Sequence, residues 1–180
     1  MSNPANEVAL KRNGLTIAER KDIAVTHIAL RRGMRADLEA RASAALGVTL
    51  PWTPRVVEAG GKMVVWAGPE QWLVIEPRSG NSDPSAVLAS ELKGVASVVD
   101  VSDSRAMFRV TGAKASEVLS PSMGIDFHTS AFKPGDVAIT HVSHLGVIVW
   151  RLADGQSYDF ACPRTFSVDF GNWLANACGR

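Results

Sequence analysis

Three groupings of side chains in this 180-residue chain have types and spacings that could do chemistry. Asp100-Val-Ser-Asp103 with Ser104 sets two hydroxyls among two carboxylates, the raw material of an activated nucleophile. No G-x-S-x-G elbow surrounds either serine, so capping or turn bonding by these short polar side chains is the expected role. His141-Val-Ser-His144 resembles metal-ligand spacing, but residues i and i+3 of a strand point to opposite faces, and a solvated hairpin is expected instead of a metal site. His27 and His128 have no histidine or cysteine close in sequence, which leaves them without an obvious ligand set. Arg31, Arg32 and Arg35 form a basic cluster with no interleaved aromatic residues, which predicts a solvated face and no nucleic-acid partner.

Two features of nucleotide enzymes are missing. No G-x-G-x-x-G follows a predicted strand, and no G-x-x-x-x-G-K-[ST] occurs, so the chain is not expected to hold an FAD or NAD of its own. Cys162 and Cys178 are too few for a disulfide framework or a four-cysteine zinc site, and two free thiols suit a reducing compartment. Nineteen Lys plus Arg against 18 Asp plus Glu leave a net charge of +1, too little to steer the chain to nucleic acid or an acidic membrane. The first ten residues lack the apolar core of a signal peptide, and no apolar run approaches the ~20 residues that cross a bilayer. A cytoplasmic protein is expected. At 46% hydrophobic residues the chain can form a packed core, and its five Trp and six Phe must go to core or interface.

The elements that would position these groups can be read in order. Residues 1–20 are polar and weakly patterned, and read as an N-terminal arm. Ile23–Leu30 reads as a strand, 34–46 as a helix stopped by Gly47, and 55–59 as a short strand ending in a Gly60-Gly61 turn. Residues 62–66 and 71–76 form a hairpin about Gly68-Pro69, 85–93 reads as a helix, and 95–101 returns as a strand. In Arg105–Val110 the residues Ala106, Phe108 and Val110 alternate with Met107 and Arg109, the period of a half-buried strand; after Thr111-Gly112 the spacing becomes helical. A loop runs from 121 to 135. Strands are predicted at 137–142, 146–150 and 157–161, and a last helix over 164–177 carries Phe166, Val168, Phe170, Trp173 and Leu174.

The two halves resemble each other. Val64-Val-Trp66 matches Ile148-Val-Trp150, 84 residues later, and Pro77 matches Pro163, 86 residues later, each before a helix. The expected fold is α+β: residues 21–180 as one domain made of two duplicated split βαβ, ferredoxin-like halves at about 21–101 and 102–180.

Trp66-Ala-Gly-Pro-Glu-Gln-Trp-Leu73, the run from Asp100 to Ser120, Gly124-Ile-Asp-Phe-His-Thr-Ser-Ala-Phe-Lys-Pro-Gly135 and Tyr158-Asp-Phe-Ala-Cys-Pro-Arg-Thr-Phe166 together resemble the γ subunit family of heterotetrameric sarcosine oxidase. The Asp-Val-Ser, strand, x-G-x-x-A, helix pattern is also similar to the folate-binding aminomethyltransferase T-protein of the glycine cleavage system. The resemblance implies a non-catalytic subunit beside α, β and δ subunits, in a complex that oxidatively demethylates sarcosine to glycine and passes the one-carbon unit to tetrahydrofolate. FAD, FMN, NAD and tetrahydrofolate are then implied for the partner subunits. Where T-proteins have D-V-S-H this chain has Asp103, and where they have an Asn-Asp pair it has Ile125-Asp126. Asp126 is the one matching acid and the candidate substrate-binding residue. The stretch from Leu145 to Trp150, where the T-protein's catalytic aspartate would fall, carries no acid. The alternative is a folate-dependent one-carbon transferase, or folate-binding module, acting alone. A subunit of a permanent complex is further expected to keep an apolar face for its partners.

Overall fold

The computed structural model describes residues 9–78, 80 and 83–179. In chain order the elements are β1 (Ala9–Arg12), β2 (Leu15–Glu19), β3 (Ile23–Leu30), α1 (Arg35–Leu46), β4 (Val56–Ala59), β5 (Lys62–Gly68), β6 (Gln71–Pro77), α2 (Pro84–Glu91) and β7 (Ala96–Asp100). They continue with β8 (Arg105–Thr111), α3 (Ala115–Leu119), β9 (Val137–Val142), β10 (Leu145–Arg151), β11 (Ser157–Pro163) and α4 (Ser167–Ala177), with 3-10 turns at Ser120–Ser122 and Arg164–Phe166. Contacts divide the chain into two compact units, Asp22–Asp103 and a split unit that joins the residues up to Lys21 to those from Ser104 onward.

The 22–103 unit is an antiparallel sheet in the order β4-β5-β6-β3-β7. Alternation puts Ile28, Val64, Trp72 and Val74 on one face, where Leu38, Ala42 and Leu46 of α1 and Leu88 of α2 cover them. Trp72 is the anchor of this core: it is fully buried, its indole N–H donates to the Pro51 carbonyl at 2.6 Å, and Trp52 meets it edge-on at 4.9 Å. Helix α1 ends as expected at Gly47, whose N–H returns to the Ser43 carbonyl at 3.0 Å. Helix α2 starts on Pro84 behind the Asp83 cap, whose carboxylate accepts the Ala86 N–H at 3.0 Å.

The split unit is an antiparallel sheet in the order β1-β2-β8-β11-β10-β9. Ala106, Phe108 and Val110 point inward as their alternation predicts, and meet Leu15, Ile17, Phe160, Phe170 and Leu174 in one core. The reading of residues 1–20 as an arm is corrected over 9–19. β1 and β2 form a hairpin whose second strand pairs with β8 from Thr16↔Thr111 to Glu19↔Phe108, because burying Leu15, Ile17 and Ala18 and pairing one edge of β8 outweighs the polarity of the stretch. Residues 1–8 lie outside the described residues. The expected halves at 21–101 and 102–180 shift accordingly: the residues up to Lys21 belong with the later half.

An α+β arrangement of two antiparallel sheets with few helices is therefore the architecture. The order β4-β5-β6-β3-β7 has its counterpart in β9-β10-β11-β8-β2, with β2 in the seat that β7 holds. Pro77 and Pro163 are the last residues of β6 and β11. The last helix differs from expectation at its start. Residues 164–166 form a 3-10 turn, and of the five apolar residues read on it only Phe170 and Leu174 are buried, while Val168 is 73% and Phe166 47% exposed.

Candidate functional site

The strongest polar constellation lies on strands β8 and β11, whose register sets Arg109 directly opposite Asp159. Asp159 has no exposed surface, and a buried carboxylate is tolerable only if its oxygens are fully bonded. Both are: Arg109 donates Nε to Oδ1 at 2.6 Å and Nη2 to Oδ2 at 2.8 Å, and Arg20, just past β2, adds Nη1 to Oδ2 at 2.9 Å. The forked, bidentate geometry fixes β8 against β11 and ties the N-terminal hairpin to both. Arg164 makes a separate pair of bonds, donating to Glu19 at 2.6 Å and to the Arg105 carbonyl at 2.7 Å. Nearby, burial works against the charge of Asp154, but bonds from the Ser157 hydroxyl and from the amides of Gln156 and Ser157, with the charge of Arg109, hold its carboxyl below the usual range.

A buried cation, Arg151, donates to the Phe132 carbonyl at 2.6 Å and to the Gly155 carbonyl through both Nε and Nη2, with its guanidinium 5.6 Å from the Tyr158 ring centre. It pins the loop before β9 to the turn that ends β10. Tyr158 also donates to Ser116, and Ser116 in turn donates to the Phe127 carbonyl, which fastens α3 to the loop that follows it.

The residues singled out by sequence are dispersed. Ser102 is buried; its hydroxyl donates to Asp100 at 2.6 Å and accepts the Val25 N–H at 2.9 Å, so it is occupied in closing the turn after β7. The side-chain and backbone bonds from Ser102 hold the Asp100 carboxyl below its ordinary range. Asp126 is exposed and accepts the His128 amide at 2.8 Å, an Asx turn, and His128 Nδ1 meets Ser130 Oγ at 2.7 Å. His141 lies exposed on β9 and His144 in the turn before β10. His27 Nε2 meets Gln71 Oε1 at 3.1 Å. Among the described residues no group of three or more His, Cys, Asp or Glu could hold a metal ion. Arg31 and Arg32 are exposed, while Arg35 pairs with Glu39 at 3.2 Å and lies 3.9 Å over the Trp52 ring. Cys162 and Cys178 are free and buried, and burial pushes the Cys162 thiol up to about 11. No helix among the described residues is long and apolar enough to cross a membrane.

The open clefts lie elsewhere. A cleft of about 480 Å³ is lined by Ala45 of α1, Val87 and Leu88 of α2, and the Lys62–Glu76 ion pair. Two grooves flank α4: one of about 230 Å³ by Leu10, Val168 and Phe108, and one of about 300 Å³ by His144, Phe166, Asp169 and Trp173.

The two antiparallel sheets with short helices define a fold similar to that of glycine cleavage system aminomethyltransferase T from Bartonella henselae, at a TM-score of 0.64 and 11% identity over 91% of this chain and 46% of that one. The chain belongs to the sarcosine oxidase gamma subunit family, which it matches over residues 32–180. It is 32% identical over 139 residues to sarcosine oxidase subunit gamma of an Arthrobacter species, and 30% identical over 140 residues to that of Corynebacterium sp. strain P-1. These matches cover 75% and 74% of this chain and 66% of each relative, just under two thirds of their length. A chain of heterotetrameric sarcosine oxidase from Corynebacterium sp. U-96, solved in complex with pyrrole 2-carboxylate, superposes at a TM-score of 0.80 with 25% identity, covering 97% of this chain and 88% of that one.

Proposed function

We propose that this chain is a non-catalytic γ subunit that works in a heterotetramer beside α, β and δ subunits, and that the complex oxidatively demethylates sarcosine to glycine in the cytoplasm, with the one-carbon unit passing to tetrahydrofolate. The observation that carries this reading is the family match over residues 32–180. The candidate residues agree with it: Ser102 and Asp159 have their polar atoms committed to internal bonds, and Asp126 is held by its own turn. FAD, FMN, NAD and tetrahydrofolate are then the business of the other subunits. The common strand order of the two sheets supports a further element of the proposal, that the units are duplicated split βαβ halves, with β2 standing in for the closing strand of the second.

The test is purification with and without the other three subunits. The expected result is an equimolar complex that turns over sarcosine, and an isolated chain with neither flavin absorbance nor oxidase activity. Flavin bands in the isolated chain would overturn the assignment of cofactors. The likeness to an aminomethyltransferase fold favours the second reading, a folate-binding module, and titration of the isolated chain with tetrahydrofolate separates the two: stoichiometric binding abolished by Asp126→Ala would replace the scaffold reading.

A further inference from the structure

Helix α4 keeps apolar surface open on both flanks, and we infer that this surface docks a segment of a different subunit, one that presents an aliphatic or aromatic anchor beside an arginine or lysine. The inference rests on the reading of the chain as a subunit of a multi-chain complex. Val168 at 73%, Phe166 at 47% and Leu10 at 38% exposure surround the start of the helix, a ridge that separates the 230 Å³ groove from the 300 Å³ groove. Water contact at these large side chains, Leu10 and Val168 in the smaller groove and Phe166 in the larger, is unfavourable, and open apolar surface of this kind marks contact surfaces. The larger groove has a rigid wall, since Trp173 stacks on the buried Phe170 ring at 5.8 Å with 9° between the planes.

Charge decides which occupant fits. From Thr165 to Gly179 the single charged residue is Asp169, and it lines the same groove as Phe166 and Trp173, whose lining contains no lysine or arginine. A second copy of this chain, meeting the first across a twofold axis, would bring two Asp169 carboxylates into one interface with no lysine or arginine from the lining of either groove to offset them. A basic side chain from another subunit instead finds a carboxylate and two aromatic faces, the environment that suits a guanidinium best.

The test uses the heterotetramer assembled from this chain and the three remaining subunits. Val168→Asp and Phe166→Asp should each reduce recovered complex at least tenfold at limiting subunit concentration while the free chain melts like wild type. Asp169→Lys should reduce it about threefold or more. Val87→Asp, also exposed, at 62%, but on the 22–103 unit, should assemble normally. Val168→Ser and Phe166→Ser repeat the test without a new charge. Normal assembly of the Val168 and Phe166 variants overturns the inference, and so does an equal loss with Val87→Asp. A free chain that sediments as a dimer and becomes monomeric with Val168→Asp overturns it in favour of a second copy. Failure of the wild-type chain to join the other subunits removes the subunit reading, and the inference with it.

Discussion

Replacing Asp159 with alanine isolates the contribution of the carboxylate that β8, β11 and the N-terminal hairpin share. Three charge-assisted bonds are lost, at 2.6, 2.8 and 2.9 Å, each worth about 1.5–3 kcal/mol when its partner is a charged group. The arginines recover part of this by hydration, because 34% of the Arg109 side chain and 16% of the Arg20 side chain already face water, whereas Asp159 itself is fully buried. The expected net loss is therefore about 3–4 kcal/mol, at the low end of what breaking a buried ion pair costs and a large share of a total stability of roughly 5–15 kcal/mol. Urea unfolding followed by circular dichroism reads this as a midpoint lowered by about 1–4 M for a slope of roughly 1–3 kcal/mol/M. Asp159→Asn, which keeps the volume and one acceptor oxygen, should lose less than Asp159→Ala. The triple variant Arg20→Met, Arg109→Met, Asp159→Leu should also lose less, because it leaves no uncompensated guanidinium. A loss below about 1 kcal/mol in Asp159→Ala would refute the claim that the cluster locks the sheet.

Three further outcomes are expected. Gly112→Ala should destabilise by about 2–4 kcal/mol in thermal unfolding, because Gly112 sits at φ 149° and an added Cβ would stand 2.6 Å from Leu15 Cδ2 and 2.8 Å from the Gly14 carbonyl oxygen; an unchanged melting temperature would show that the hairpin yields freely. Ser102→Ala leaves the buried Val25 N–H without its acceptor and should cost about 1–3 kcal/mol at pH 7. The bond from Ser102 lowers the folded pKa of Asp100, so its stabilisation is present above the ordinary carboxylate value of about 3.9 and lost as pH falls through the folded value; the gap between wild type and variant should narrow on acidification below pH 4, and a gap that widens there would contradict the assignment. With Cys162 pushed up to about 11, roughly one molecule in a thousand carries the thiolate at pH 8, so iodoacetamide should leave it unmodified in the native chain and label both cysteines in urea, as read by peptide mass mapping; fast native labelling of Cys162 would contradict its burial.

Period and punctuation made most of the elements legible. Ile23–Leu30, the helix ending at Gly47, the Gly60-Gly61 turn and the strand through Ala106, Phe108 and Val110 occur where alternation and turn residues placed them. The hairpin at 9–19 escapes a reading by polarity although it carries a strong local signal: Asn13-Gly14, with φ of 49° and 75°, is the favoured type I′ pair, and Leu15 and Ile17 flank the polar Thr16 behind it. The polarity of the flanking residues hid it. Asp159 could not be found locally, because Tyr158-Asp-Phe160 reads as an apolar strand with one stray acid. Its meaning depends on a register with Arg109, 50 residues away, and on Arg20, 139 residues away, and long-range register is not written in any single stretch. Val168 shows the converse case: helical spacing puts it on a helix correctly, but spacing alone does not say which face a neighbour covers.

The seat of β2 next to β8 has a consequence for how the chain is made. A ribosome releases residues 22–103 as one uninterrupted block, and every strand of their sheet is present once β7 has emerged. β2 has a different history. It is synthesised before that block, yet its neighbour β8 lies some 90 residues downstream, and at roughly 5–20 residues per second it waits about 5–20 s for a partner. During that interval Leu15 and Ile17 lack the strand they finally pack beside, in a nascent chain whose 22–103 core is built from other residues. The Asn13-Gly14 turn lets the ribbon pair with itself meanwhile, so a local hairpin guards the edge until translation delivers the strand that completes it.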